Sequence, residues 1–531
     1  MNQFVGTRHL VRLALRRDRV TMPIWVILIA VIPAATARLY EQLYPDAASR
    51  QSLQGGSAAN PSTNLIYGPA FDLTTAGGYT AWKYLTFLGL FLALACIFTV
   101  IRHTRQEEDT GRQELLSSTV TGRYAPLTAA LLVSGLASVA TGLISTVSLL
   151  AAGLPAAGSV GFGLSLALTG LVFGGVAGIA AQLVEYSRTA NGVACAVLGV
   201  FFMVRGVGDS AKDISWLSWF SPLGWAVQLR PYAGDHWWVV LPLVAAAVAF
   251  SAIAYWLLPK RDVGMAIVPT RPGPAFASAS LRSPFALAWR LHRGMLIGWV
   301  AGFAICGAVF GSLAAGIGDV VGNSAQVQQM FERLGGASKL VDAYLAAIAG
   351  IGGMVAALYA VQATLRMRSE EVAVRLEPLL ATKVRRLQWA ASHLVFAWLG
   401  SALLLGVFGA FAGLLHGLRV GGVGHQVWTV FGASLAQLPA VWVVAGIALM
   451  VFGFVPKYAT AGWSAASLSL ALALYGPVLN LPQGVLDISP FTHIPKLPSA
   501  TLTATPLVWL TGIALVALAA GLTGFRRRDI G

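Results

Sequence analysis

Two stretches of this chain set acids and arginines at spacings that suit recognition of a charged partner. Arg105-x-Glu107-Glu108-x3-Arg112-x-Glu114-x-Leu116-x2-Thr119-x3-Arg123 reappears 263 residues later as Arg368-x-Glu370-Glu371-x3-Arg375-x-Glu377-x-Leu379-x2-Thr382-x3-Arg386. Glu108 and Arg112, and again Glu371 and Arg375, stand four apart with the acid first, the favoured order for an ion pair along a helix. Glu107, Gly111 and Glu114 would share one face of that helix. The spacing therefore predicts a short amphipathic helix that could pass a push from a soluble partner into whatever holds its two ends. An ordinary basic loop beside a membrane would account for the arginines. It would not account for acids recurring at the same spacing, because the positive-inside bias requires none.

Other chemistry is poorly served. No Gly-x4-Gly-Lys-[Ser/Thr] phosphate loop occurs, so ATP would have to be hydrolysed by another chain. No zinc-protease, Ser-His-Asp or paired-carboxylate arrangement stands out, and the eight histidines are scattered. Cys96, Cys195 and Cys306 lie in apolar runs, where free cysteine behaves as a small hydrophobe. There is no metal-binding Cys-x-x-Cys spacing. Ionisable groups inside spans would mark an ion pathway. Here Glu185 and Arg205 are expected at span ends, and Arg38 and Lys83 near the outer interface, where snorkelling suffices.

The elements that must position the two charged stretches follow from composition. The chain has 531 residues, 56% hydrophobic and 11% charged, against about 25% charged in a soluble domain. Apolar runs long enough to cross a hydrocarbon core recur from end to end. Twelve spans are expected, near 22–40, 84–103, 125–152, 159–184, 190–206, 237–258, 294–316, 346–365, 388–416, 427–454, 460–478 and 506–525. They are too continuously apolar for barrel strands, so the expected fold is an all-α polytopic membrane protein. The net charge of +15 does not point to nucleic acid, because the basic residues sit in short loops between spans. With both termini on one side, that side holds 26 of the 36 Lys and Arg, which predicts cytoplasmic termini and an even number of spans. Arg8 to Arg19 reads as a basic helix, not as the charged start of a cleavable signal peptide.

The chain also repeats itself in parallel. Leu13-Ala14-Leu15-Arg16-x-x-Arg19 matches Leu287-Ala288-Trp289-Arg290-x-x-Arg293, and Ser221-Pro222 matches Ser489-Pro490. Lys260-Arg261-Asp262-Val263-Gly264 matches Arg527-Arg528-Asp529-Ile530-Gly531. With the charged motif, the four offsets are 274, 268, 267 and 263. Each half then carries six spans: residues 1–258, a Pro/Ala/Ser-rich cytoplasmic linker at 259–283, and residues 284–531. Arg8, Arg12, Arg16 and Arg19 form one helical stripe, with Leu10, Leu13 and Ala14 facing away, as suits a helix in the headgroup interface. Arg290 and Arg293 occupy the matching place in the second half. The loop from Glu41 to Ala81 is expected outside, capping the transport route. The tryptophans around 216–238 are expected in an interfacial belt. The glycine runs at 174–178 and 350–353 are expected to serve close helix packing.

The segment Arg105-Gln-Glu-Glu-Asp-Thr-Gly-Arg-Gln-Glu-Leu-Leu resembles the motif between the second and third spans of type-2 ABC-exporter permeases, where it forms the coupling helix. The basic helix before the first span resembles the connecting helix of that group, and Arg-Arg-Asp-Ile-Gly its C-termini. A fused twelve-span chain is similar to the permeases of actinobacterial polyketide-antibiotic exporters of the tetronasin type. The resemblance implies a permease subunit in the bacterial inner membrane with no cofactor of its own. Two nucleotide-binding subunits would bring ATP and Mg, and the cargo would be a hydrophobic or amphipathic compound. It implies coupling roles for Arg105, Glu107, Glu108, Arg112, Glu114, Arg368, Glu370, Glu371, Arg375 and Glu377. This sequence departs from the group's pattern after the motif, with Val120 and Lys383 where proline is frequent, and with Val374 and Pro378 in the second copy at the places of Gly111 and Leu115. From composition alone, a proton-driven twelve-span drug transporter is the alternative.

Overall fold

The computed structural model describes residues 3–59, 61–210, 212–269, 273, 275–321, 337–475 and 482–529. Among these residues every regular element is a helix, the form in which one segment satisfies its own backbone without water. The chain divides into two compact units, Met1–Gly273 and Pro274–Gly531.

The first unit contains α1 (Thr7–Arg17), α2 (Thr21–Leu43), α3 (Ala47–Ala59), α4 (Pro61–Tyr67), α5 (Ala76–Arg102), α6 (Arg105–Asp109), α7 (Arg112–Ser117), α8 (Ala125–Ala151), α9 (Ala156–Leu183), α10 (Ser187–Ser210), α11 (Pro222–Gln228) and α12 (Val240–Leu257). The second contains α13 (Pro284–Val321), α14 (Ala337–Val372), α15 (Leu376–Leu380), α16 (Arg386–Val420), α17 (Val423–Leu435), α18 (Leu438–Phe454), α19 (Ala461–Tyr475), α20 (Gln483–Leu486) and α21 (Ala504–Arg527). Among the described residues, 11 helical stretches are long and apolar enough to cross a membrane. They cover eleven of the twelve expected spans. The remaining one, expected over 460–478, begins as the shorter apolar helix α19, and its last three residues lie outside the described ones.

Glycine sets several of the helix contacts. A Cβ on Gly175 would stand 2.8 Å from Cβ of Phe250, and one on Gly178 3.0 Å from Cβ of Ala254, so α9 and α12 meet backbone to side chain. The second glycine run behaves differently. Gly353 packs against Gln437, whereas a Cβ on Gly350 would meet nothing within 4 Å.

Three expectations are corrected. First, the basic helix before the first span is a separate element only in the first unit. Asp18 closes α1 and pairs with Arg102 at 2.7 Å and His103 at 2.6 Å. The matching residue in the second unit is His292, which stays inside the unbroken helix α13 and meets His393 at 2.9 Å. Second, the span expected over 427–454 is broken at Ala436–Gln437, because Pro439 in the first turn of α18 cannot donate a backbone bond to the preceding helix.

Third, Arg205 does not snorkel. It is fully buried, pairs with Asp209 at 3.4 Å, and donates to the carbonyls of Leu65 at 2.9 Å and Ile66 at 3.1 Å. Asp209 also accepts from Ser218 at 2.8 Å. The pair fastens the last turn of α4 to α10. Trp82 and Thr86 on α5 add hydrogen bonds to the carbonyls of Gly68 and Tyr67. The loop from Glu41 to Ala81 is thus laced onto its own unit.

Candidate functional site

The charged motif departs from a continuous helix in both units. In the first, α6 and α7 are two short helices separated by Gly111, whose φ of 71° lies in the left-handed region. That turn takes Arg112 away from Glu108, so the expected pair four residues apart does not form. In the second unit α14 runs on through Glu370 and Glu371 to Val372. It ends with Val374 at φ 56°, the position matching Gly111. The amide of Val374 donates to the carbonyl of Glu371 at 2.9 Å, and that of Arg375 to the carbonyl of Glu370 at 3.0 Å. These two bonds close the helix in the manner usually made with glycine. Pro378 sits in the first turn of α15, where proline is tolerated, so the bend comes from Val374 and not from the proline.

The acids have partners far away in sequence. In the first unit Glu108 accepts two bonds from the Arg261 guanidinium, at 2.7 and 2.9 Å, and one from Arg105 at 2.5 Å. In the second, Glu371 accepts two from Arg528, at 2.7 and 2.9 Å, and pairs with Arg368 at 3.4 Å. A third arginine completes each cluster. Arg123 donates to the carbonyl of Arg261 at 2.7 Å, and Arg386 to the carbonyl of Arg528 at 2.7 Å. Two sequence anchors that look independent are therefore the two sides of one contact, built twice. Parallel two-bond contact between guanidinium and carboxylate fixes orientation as well as charge.

The neighbouring acids repeat as well. Glu107 pairs with Arg112 at 3.5 Å and Glu370 with Arg375 at 3.6 Å. Glu107 also binds Arg17 of α1, and Glu370 binds Arg366 at 2.8 Å. Thr119 and Thr382 each donate to the carbonyl three residues back, both at 2.6 Å, which explains the Leu-x-x-Thr spacing.

Burial sorts the predicted residues into two sets. Arg105, Glu107, Glu108, Glu370 and Glu371 point into the units, and together with the half-buried Arg368 their charges are spent on internal pairs. Arg112, Glu114, Arg375 and Glu377 are exposed. Beside them lie apolar side chains open to the surroundings: Leu115, 72% exposed, in the first unit, and Val372 and Val374 in the second. Arg8, Arg12 and Arg16 form an exposed face of α1, with Ala14 buried behind them; Arg19 is exposed just beyond the helix end, outside the expected stripe, and Arg290 and Arg293 are exposed on α13. Arg17, Arg261 and Arg528 were not among the predicted site residues. The recurrence of Arg-Asp-hydrophobic-Gly at both ends was the signal for the last two.

This arrangement can be set beside known proteins. A family model described as the multidrug efflux system permease Rv1217c, C-terminal domain, matches residues 8–258 and 281–526. The multidrug efflux system permease protein Rv1217c of Mycobacterium tuberculosis (strain ATCC 25618 / H37Rv) is 45% identical over 529 residues, covering 99% of this chain and 96% of that one. The chain belongs to this family of efflux permeases. It is accordingly a multi-pass membrane protein, and the permease carries its duplicated ion clusters at the ends of membrane-length helices: α5 and α14 lead into them, and α12 and α21 supply the closing arginines. Among the described residues no group of three or more His, Cys, Asp or Glu side chains is placed to hold a metal ion.

Proposed function

We propose that this permease is the membrane subunit of a type-2 ABC exporter, fused from two parallel six-span halves joined by the linker at 259–283, and resembling the tetronasin type. It lies in the bacterial inner membrane with both termini in the cytoplasm. Two copies of a separate nucleotide-binding subunit bring ATP and Mg. The cargo is a hydrophobic or amphipathic compound, such as a drug or polyketide antibiotic, moved outward. The observation that carries this reading is the doubled cluster of Glu108 with Arg261 and Glu371 with Arg528, on a chain 45% identical to a protein named as a multidrug efflux permease.

On this reading the two sets of charged residues have different work. A soluble partner reaches the exposed set, with Leu115, Val372 and Val374 as apolar contacts and Arg112, Glu114, Arg375 and Glu377 around them. The buried set then distributes the load. A push on α6 and α7 moves α5 and α8 directly through the chain. Through Glu108 and Arg261 it also moves the end of α12. Arg123, at the start of α8, holds the backbone of Arg261, so the three helix ends shift as one body. The second unit has the same linkage through Glu371, Arg528 and Arg386. Closing of two ATPase subunits on ATP would drive both linkages together.

Inside-out vesicles carrying the permease and its ATPase test this reading. Drug uptake should follow ATP with the proton gradient collapsed. Uptake that needs the gradient and ignores ATP would instead support the secondary transporter. The Glu108→Lys/Glu371→Lys double variant should lose coupling between ATP hydrolysis and transport.

A further inference from the structure

We infer that the second unit holds a binding cavity for the transported compound, walled by Ile351, Met354 and Phe491, floored by Gln437 and rimmed by Lys496, which takes a drug-sized amphipathic molecule with an acidic or carbonyl-bearing head. This rests on the efflux reading above and adds a place and a chemistry to it. The cavity measures about 660 Å³, within the roughly 300–1,000 Å³ of pockets that enclose drug-sized ligands.

Gln437 is the decisive residue. It sits where the helix over 423–454 is broken ahead of Pro439, and it is 5% exposed. Its backbone is bonded, yet its side-chain amide has no hydrogen-bond partner in the protein. The amide is not sealed inside the protein but opens onto the cavity, so it is available to an entering molecule, and a hydrogen bond made there contributes about 0.5–1.5 kcal/mol. Broken membrane helices expose polar groups in this way at transporter binding sites. Gly353 lies behind the side chain, 2.7 Å from Cβ of Gln437 to where its own Cβ would be, so Gln437 is backed by α14. Three residues earlier, Gly350 lines the cavity and looks onto open space.

The charge balance of the walls sets the ligand's sign. No acid lines the cavity among the described residues, and Lys496 is its one charged group. The head group it favours is therefore anionic, or a neutral acceptor such as a carbonyl. The first unit has no counterpart at these positions. By the motif offset of 263 Gly350 matches Phe87, which packs edge-on against Tyr67 at 5.5 Å, and the offsets of 263 and 268 on either side of Gln437 place its counterpart within 169–174, inside the unbroken α9. Along α14 the cavity lies roughly 30 Å from Glu371 at 1.5 Å per residue, at the opposite end from the ion cluster.

The test uses the full-length chain in lipid nanodiscs, with binding of the anionic dye eosin Y and the cationic dye rhodamine 6G followed by fluorescence polarisation. Eosin Y is expected to bind the more tightly. Gln437→Leu should weaken it about tenfold, the loss of one buried hydrogen bond, and Lys496→Glu should reverse the order of the two dyes. Gly350→Trp should abolish binding of both, and Gly512→Trp, which also points into open space but outside the cavity, should bind as the unaltered chain does. Where Gly350→Trp fails to fold, the near-isosteric Gln437→Leu decides. Unchanged eosin Y affinity in a folded Gly350→Trp or Gln437→Leu chain overturns the cavity, as does an unaltered chain that binds neither dye. Both results leave ATP-driven efflux to stand or fall on the vesicle assay.

Discussion

Glu371 and Arg528 lie 157 residues apart in the chain and meet through two hydrogen bonds of 2.7 and 2.9 Å. The guanidinium carbon of Arg528 also stands 4.7 Å from the Phe452 ring and 5.2 Å from that of Phe525, so the ion pair is shielded by aromatic faces. Glu108 and Arg261 reproduce the two bonds in the first unit, with the amide oxygen of Gln182 at 2.7 Å from Arg261 in place of the rings.

Removing one partner of such a pair leaves the other charged and poorly solvated, which costs about 3–5 kcal/mol. Arg528→Ala should therefore lower the thermal stability of the purified permease markedly. Glu371→Gln combined with Arg528→Met should cost far less than the two single changes together. A double-mutant cycle on thermal unfolding measures this, and additivity within about 0.5 kcal/mol would remove the pair from the account.

Val374 occupies a left-handed conformation that costs a β-branched residue roughly 1–2 kcal/mol and glycine almost nothing. Val374→Gly should raise stability by about 1 kcal/mol, and Gly111→Val should lower it by a similar amount or more. Thermal denaturation of the two variants should move in opposite directions. A shift of the same sign in both would contradict the backbone argument.

The exposed apolar residues should matter to the partner and not to the fold. Leu115→Asp and Val372→Asp should leave stability within about 0.5 kcal/mol, as for surface substitutions generally. Each should weaken capture of the ATPase subunit by about tenfold or more, the loss expected for a desolvated contact. Co-purification and surface plasmon resonance report this directly. Normal capture with lost stability would invert the assignment of the two sets.

At the other end of the first unit, Arg205→Met should strand Asp209 without its counter-charge and free the carbonyls of Leu65 and Ile66. A loss of about 3–5 kcal/mol is expected from the broken buried pair. Adding Asp209→Leu should restore much of it. Limited proteolysis of the segment between α2 and α5 should become faster in the single variant and slower again in the double one.

The sequence by itself determined the class of this protein. Apolar runs of membrane length and a charge content of 11% leave little besides a helical membrane body. The internal offsets exposed the doubled charged motif. Local spacing did not determine who pairs with whom. Glu108 lies four residues from Arg112, yet a left-handed turn at Gly111 separates them, and Arg261, 153 residues away, takes the acid instead. A buried carboxylate binds whichever cation the packed helices bring within reach, and that is a property of the assembled unit. The same reason hides Arg205 and Gln437: one was expected in the headgroups and the other drew no notice, because burial is decided by neighbours that sequence order does not reveal.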